Sequence, residues 1–491
     1  MLPSFGLPPL HVLPGSQWPL HDTAATRALE SKALSGEPPH ALMQRAGLAC
    51  ARLALAIAPH ARSIWIAAGP GNNGGDGMEA AMHLQRWGRQ VIVSCVGDPA
   101  TASSDAAASR TRALEAGVTF APQPPLLWDL CIDALLGIGA TRPPEGEMAQ
   151  WINHMHGHDA PVLAIDNPTG LNADTGKAAA ACVRASATLC LLTIKPGLFT
   201  ADGRDMAGQV WLDDLQVDCA EMPDTGAPTA LLIARPANVQ RRHASHKGSY
   251  GDVAVVGGAS GLTGAALLAA TASLYAGAGR VFLCPLDAQA APLASAPAEL
   301  MLRQVDSLAL ERLTVVCGCG GGDAIRKHLP SLLSRARALV LDADALNALG
   351  TDSQLQQLLL ARAHREQQTV LTPHPLEAAR LLGITAAQVQ ADRLDAVSRL
   401  AARFRCTVVL KGSGTMVAAP DQLPAINPTG NALLATAGSG DVLAGLTGAR
   451  LAAGLPAFEA ACAAVFAHGE AADRWPTDTA LTAGALARAL N

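Results

Sequence analysis

The residues best suited to chemistry in this 491-residue chain stand in glycine-rich junctions between apparent strands and helices. The first is IWIAAGPGNNGGDGMEAA, Ile64 to Ala81, where Gly69, Gly71 and Gly74 fit the G-x-G-x-x-G spacing of a dinucleotide-binding loop. Glycines let a backbone approach a phosphate closely, and the start of the following helix offers free N–H groups to an anion. A dinucleotide cofactor site also wants an acid about 20 residues on, closing the second strand, to bind the ribose. Ser94 and Cys95 stand near that place in QVIVSCVG, while Asp98 comes late and precedes a proline. The pattern therefore argues against a resident NAD cofactor. It leaves Asn72, Asn73 and Asp76 unexplained, and their side-chain oxygens suit a cation or substrate hydroxyls. Two further acids close strands: Asp133 in CIDALLGIGATRP and Asp166 in LAIDNPTG. Either alone reads as a cap on a helix or turn; converging on one sheet edge, they read as a site. Oxygen ligands without His or Cys suit an alkali or alkaline-earth ion, not zinc.

A second group lies in the C-terminal half. LDADALNAL places Asp342 and Asp344 at a strand end, and TPHPLEAARLLG puts His374 between two prolines. TVVLKGSGT ends a strand on Lys411 and a Gly-Ser-Gly turn suited to phosphate. In NPTGNALLATAGSGDVLAGL, Gly438, Gly440 and Asp441 open a helix, where the dipole favours an anion. A carboxylate placed there can deprotonate a hydroxyl that attacks a phosphoryl group.

Both groups need an open, mostly parallel α/β sheet to hold them, and the chain is patterned for two. SIWIAAG, QVIVSCVG, LCIDALLG, PVLAID, ATLCLLTI and GQVWLDDL alternate with helical stretches in the first half. Two helices precede them, DTAATRALE, with Asp22 or Thr23 as N-cap, and ALMQRAGLACARLALAIA. DVAVVGG, RVFLCPL, LTVVCGCGGG, ALVLDADAL, QTVLTPH, TVVLKGSG and TMVAA make the second alternation. The expected division is 1–221 and 231–491, with a proline-containing linker at 222–230. Asn-Pro-Thr-Gly occurs at 167–170 and 427–430 in unlike surroundings, which chance explains. With 49% hydrophobic and 16% charged residues and a net charge of -5, the chain is expected to be globular, without the basic stripe of a nucleic-acid binder. Eleven scattered cysteines without a C-x-x-C pair, no continuous membrane-length apolar run and no signal-peptide pattern lead to the expectation of a cytoplasmic protein with reduced thiols.

The stretch from WPLHDTAATRALE to about Leu215 resembles the epimerase domain of the NAD(P)H-hydrate repair enzymes. LMQRAG, GPGNNGGDG, DALLGIG, the Asp-x-Pro-Thr-Gly turn at 166–170 and TIKPGL carry the likeness. The resemblance implies a Rossmann-like, doubly wound domain whose substrate is itself a damaged cofactor, hydrated at C6 of the nicotinamide ring. It implies that Asn72, Asn73, Gly74, Gly75 and Asp76, with Gly137, Ile138, Gly139, Ala140, Thr141, Arg142 and Pro143, hold the substrate's phosphates and ribose. Asn73, Asp133 and Thr169 would ligate K+, with Thr169 where the family usually has Ser. Asp166 would touch the substrate and serve as the acid–base residue.

The helix start GSGD resembles that of ribokinase-like proteins, and residues 243–489 resemble the ADP-dependent NAD(P)H-hydrate dehydratase domain. The matching segments are HKGSYG, TGAALLAA, DADALN, TPHP-x-EAARLLG, KGSGT, GNALLATAGSGDVLAG and AHGEAAD. By resemblance Lys411, Gly412, Ser413, Gly414, Thr415 and Gly440 contact ADP, which comes with Mg2+. Ala265, Gly322, His374 and Asp441 would contact the hydrate, with Asp441 as base. The implied activity interconverts R and S forms of NADHX and NADPHX, then phosphorylates and dehydrates the S form with ADP, giving AMP and phosphate. Small molecules are the expected partners, with neither nucleic acid nor membrane, and a homo-oligomer is expected. The chain departs from the family at GCGGG, 318–322, where G-P-G-x-G is usual, and at Leu376, where Gly is usual. Two other readings are a ribokinase-like kinase of a vitamin alcohol, and an N-terminal domain kept as a binding scaffold.

Overall fold

A computed structural model describes residues 8–97, 103–140, 142–219, 222, 225–237, 243–287 and 296–490. The chain forms two compact units, Met1–Leu13 with Trp18–Ala230, and Pro14–Gln17 with Leu231–Asn491.

All six strands expected in the first unit are present, at Ser63–Ala68, Gln90–Cys95, Leu130–Ala134, Val162–Ile165, Ala187–Leu191 and Gln209–Asp213. Thr119–Ala121 and Leu10–His11 complete the edges of an eight-stranded sheet that is parallel except for the Leu10–His11 pairing. The order reverses between Ser63–Ala68 and Leu130–Ala134, and a crevice opens at such a switch point outside the carboxyl ends of the strands. Register sets Ala67 beside Asp133 and Asp133 beside Ala164, so the loop after Ala68, Asp133 and Asp166 share one edge. The helix Thr23–Leu34 starts with Asp22, whose carboxylate accepts from the Ala25 N–H at 2.7 Å, so Asp22 and not Thr23 is the cap.

The second unit contains all seven expected strands: Asp252–Gly257, Arg280–Pro285, Thr314–Cys317, Ala338–Leu341, Thr369–Leu371, Thr407–Leu410 and Met416–Ala418. Five neighbouring pairs are parallel from Arg280–Pro285 across to Thr407–Leu410, and the sheet then turns antiparallel through Met416–Ala418 and Ala425–Ile426. Cys317 lies beside Leu341, and Leu341 beside Leu371, which brings the glycines after Cys317, Asp342 and the Thr372–His374 turn to one edge. The expected linker, 222–230, ends in a strand without a sequence signature, Ala230–Leu232, paired parallel to Ala425–Ile426. Three residues and flanking prolines gave it no visible period. Among the described residues no helix is long and apolar enough to cross a membrane, and the eleven cysteines are free.

Close backbone approach builds the first crevice. A Cβ on Gly69 would lie 1.8 Å from the Leu135 carbonyl oxygen, and one on Gly74 would lie 2.0 Å from the Gly69 carbonyl oxygen. Only a bare Cα lets the helix Asn72–Arg86 seat its first turn on the strand end. Intrinsic helix propensity favours Gly74→Ala by about 1 kcal/mol, but the clash is with backbone, which cannot swing away. The substitution should therefore destabilise the first unit by about 2–4 kcal/mol. Six of the seven tryptophans precede residue 230, so denaturation followed by tryptophan fluorescence reads this unit.

Candidate active sites

The first crevice has a volume of about 500 Å³ and is walled by Thr26, Arg27, Glu30, Asn73, Asp76 and Asp166, with Gly137, Ile138, Gly139 and Ala140. Asp133 is fully buried beneath it and accepts from the Thr169 N–H at 2.8 Å, the Thr169 hydroxyl at 2.7 Å and the Leu135 N–H at 3.2 Å. Burial pushes its carboxyl up to about 6, against those three donors. The Asn73 amide is buried with neither its oxygen nor its nitrogen bonded. Since a buried amide without partners costs free energy, an orphaned amide facing a crevice marks a place where a ligand completes the structure.

Asp166 holds a left-handed backbone, φ +65°, that a non-glycine residue keeps only under tertiary constraint. One carboxylate oxygen takes the ammonium of Lys195, and the other accepts from the Ile138 N–H at 3.3 Å. Lys195 is fully buried, and it donates also to the carbonyls of Leu191 at 3.0 Å and Thr193 at 2.9 Å. All three ammonium protons are thus committed. Asp76, buried in the wall, is raised well above the ordinary carboxylate range by desolvation, then by Asp166 and Glu30.

At the second edge Asp342 is the hub. Its carboxylate receives the Lys411 ammonium at 2.7 Å and the Thr372 hydroxyl at 2.7 Å, and the Cys319 thiol lies 3.8 Å from its other oxygen. Asp441 stands in the first turn of the helix Ser439–Ala452, whose start has no side-chain cap. Cys319, Asp342 and Asp441 present ligand atoms within 4.8 Å of one another. Burial, then Asp342, raises Asp441 to about 6. Lys411 lies so near Gly440 that a Cβ there would meet its ammonium at 3.3 Å. His374 caps the helix Pro375–Leu382: its Nδ1 accepts from the N–H groups of Leu376 and Glu377, at 3.1 and 3.3 Å. Glu377 answers by accepting from the His374 N–H at 2.8 Å, and burial lifts its carboxyl to about 7.

The family comparisons cover both halves. A family model described as NAD(P)H-hydrate dehydratase matches residues 253–491, and one described as YjeF-related protein N-terminus matches 39–197. The bifunctional NAD(P)H-hydrate repair enzyme of Escherichia coli is 37% identical over 450 residues, 88% of this chain and 84% of its own. The chain belongs to the bifunctional NAD(P)H-hydrate repair enzyme family. The Coxiella burnetii member is 35% identical over 93% of this chain and 94% of its own. An ADP-dependent (S)-NAD(P)H-hydrate dehydratase of Neisseria meningitidis is 48% identical over 50% of this chain and 84% of its own. A Bacillus subtilis ADP/ATP-dependent NAD(P)H-hydrate dehydratase, co-crystallised with ATP/Mg2+, aligns at 27% identity and TM-score 0.42 over 51% of this chain and 91% of its own.

Within this family member the expected residues are placed unevenly. Asn73, Asp76, Gly137, Ile138, Gly139, Ala140 and Asp166 meet at the first crevice. Asn72 joins its rim and accepts from the Ser103 hydroxyl at 2.6 Å. Gly74 and Gly75 turn inward, against Gly69 and Met43, and do not line it. Arg142 and Pro143 are exposed and stand outside its wall; Thr141 lies outside the described residues. At the second edge Asp441, Gly440 and Lys411 come together, and the Gly322 N–H donates to Asp344 at 2.8 Å. Gly412, with φ +125°, leads a turn in which Gly412 and Ser413 are exposed, Gly414 is buried and Thr415 half-buried, closed by the Thr415 hydroxyl on the Gly412 carbonyl at 3.0 Å. Ala265 is half-buried near the start of the helix Thr263–Tyr275. Lys195 and Glu30 escaped sequence reasoning, although TIKPGL and ATRALE contain them; a Lys after a strand and a Glu on a helix read as solvated surface. Cys319, where the chain departs from the usual G-P-G-x-G, is fully buried against both acids.

Asp133 carries a pH signature. Its folded value, about 6, lies above the unfolded 3.8, so the folded state binds the proton more tightly. The first unit should lose up to about 3 kcal/mol of stability as pH rises from about 4 through about 6. Asp133→Asn should flatten that dependence, read by tryptophan-fluorescence unfolding across pH.

Proposed function

We propose that the first unit epimerises C6-hydrated NADH and NADPH and that the second dehydrates the S form with ADP, releasing AMP and phosphate. The observation that carries this reading is Asp441: a carboxyl at the uncapped, positive start of a helix, beside an ammonium held by Asp342. The N–H groups of Gly438 and Gly440, which flank a Ser439 N–H already taken by the Thr436 carbonyl at 3.3 Å, and the Lys411 charge suit the phosphates of ADP, and stabilise negative charge as a phosphoryl group transfers. Asp441 takes the proton of the substrate's 6-hydroxyl as that oxygen attacks phosphorus. Loss of the new phosphate then restores the dihydronicotinamide. The uncapped start of the helix Asn72–Arg86 suits the pyrophosphate of the same dinucleotide in the first unit.

The first crevice suits K+. Asn73, Asp133 and Thr169 would hold it, since the Asn73 oxygen has no partner and Asp133 is a buried carboxylate. The ion would supply a fixed positive charge to orient substrate oxygens. The second site offers Mg2+ no cage of its own: a thiol is a poor magnesium ligand and Lys411 already neutralises Asp342. That ion would arrive on the nucleotide phosphates.

Following dihydronicotinamide absorbance from mixed hydrates, with ADP, ATP or neither, tests the reading. Recovery should require nucleotide, and Asp441→Asn should lower it by roughly 10²–10⁴-fold while inversion at C6 continues. The base must be ionised, so the rate should fall as pH drops through about 6. A stably phosphorylated vitamin alcohol, with hydrates untouched, would instead favour the kinase reading.

A further inference from the structure

We propose that Glu30 is the second acid–base residue of the epimerase crevice, the partner of Asp166 at C6 of the substrate. The inference rests on the epimerase reading of that crevice.

Glu30 is aimed by its helix. Thr23 binds the Asp174 carboxylate through its N–H at 2.7 Å and its hydroxyl at 2.9 Å, which pins the start of the helix Thr23–Leu34. One turn on, Thr26 shares a hydrogen bond of 2.7 Å with Thr193, next to the carbonyl that holds Lys195. Arg27 reaches the Gly139 carbonyl at 3.3 Å. Residues three and four apart share a helix face, so the face carrying Thr26 and Arg27 also carries Glu30, and all three wall the crevice with Asp166. Of the other acids of the wall, Asp166 is engaged by Lys195 and Asp105 by His40 at 2.7 Å. Asp76, like Glu30, has no such partner among the described residues, but it is buried where Glu30 is only half-buried. Among the described residues Glu30 has neither a hydrogen bond nor an ion pair. The charges facing it are Asp166, Lys195, Arg27 and Asp76. Burial, then Asp166, raises its carboxyl above the ordinary range, whereas Asp166 is tied to an ammonium. Two carboxyls set differently in one cleft are the arrangement that separates acid from base.

Inversion at C6 needs both. One group protonates the 6-hydroxyl; the C–O bond breaks with its electrons leaving on water, and the ring-nitrogen lone pair forms a C=N bond. Water then adds to the other face, closing the C–O bond as the C=N electrons return to nitrogen, and the second group takes the proton. One water leaves and one enters, one proton is given and one taken, and nothing is oxidised. Glu30 is the donor in one direction and the acceptor in the other, with Asp166 opposite in role.

The test follows conversion of the separated R hydrate to S by the full-length enzyme in oxygen-labelled water, with ADP-dependent dehydration of S hydrate as the folding control. Glu30→Gln should lower kcat for inversion roughly hundredfold or more, remove one limb of its pH profile (the alkaline limb if Glu30 is the donor in the R-to-S direction, the acid limb if it is the acceptor), and slow label uptake in step. Glu30→Asp should recover part of the rate, and dehydration should stay at the wild-type level. If Asp166→Asn abolishes inversion while Glu30→Gln keeps kcat within about threefold, or raises KM alone with both limbs in place, Glu30 is not the partner. Inversion without label uptake would overturn the proposal by excluding water exchange at C6. A wild-type chain that dehydrates S hydrate but never inverts R would remove the epimerase reading itself.

Discussion

A carboxylate buried at the carboxyl end of a parallel strand must be given donors, because desolvation otherwise drives it to the neutral form. Both sites are organised around that constraint. Asp133 lies under the first crevice and draws Thr169 and Leu135 onto itself, folding the 166–170 turn against the loop after its own strand. Asp342 does the same at the second edge, gathering Lys411, Thr372 and Cys319 from three further segments. Neither acid faces the substrate with a free oxygen pair. Their work is to fix the groups that do.

The two edges solve the charge problem differently. In the first unit Lys195 spends all three protons on Asp166 and two carbonyls, so its charge serves one carboxylate inside the fold. In the second, Lys411 is shared: it pairs with Asp342, lies 4.0 Å from Glu377 and approaches Gly440, so its charge extends toward the helix start. The first arrangement suits proton transfer at a neutral ring, and the second suits a phosphoryl group that gains negative charge. Local strain accompanies both. Asp166 and Ala343, the residue after Asp342, hold positive φ values of 65° and 46°, conformations that persist because the surrounding hydrogen bonds outweigh their cost.

Much of this was legible in the residues. Thirteen strands could be located as short apolar runs, the pattern of strands buried in a parallel sheet; among them only Met416–Ala418 has no parallel neighbour. Asp133, Asp166 and Asp441 could be singled out because each closes a strand or opens a helix. Less legible was the use made of each glycine: Gly71 is open while Gly69 and Gly74 are sealed against backbone, although all three fit the same spacing. His374 was singled out for its prolines, and those prolines set a helix cap in which its Nδ1 is consumed.

The order of strands and helices, the glycine turns and the strand-end acids follow from the chain itself, since each depends on residues a few positions apart. The partners of those acids do not. Lys195 meets Asp166 across 29 residues, Lys411 meets Asp342 across 69, and Thr26 meets Thr193 across 167. Which carboxyl is ionised, which keeps its proton and which lysine is spent depend on burial and on charges brought from distant segments. A one-dimensional spacing contains neither quantity; only the folded sheet edge sets them.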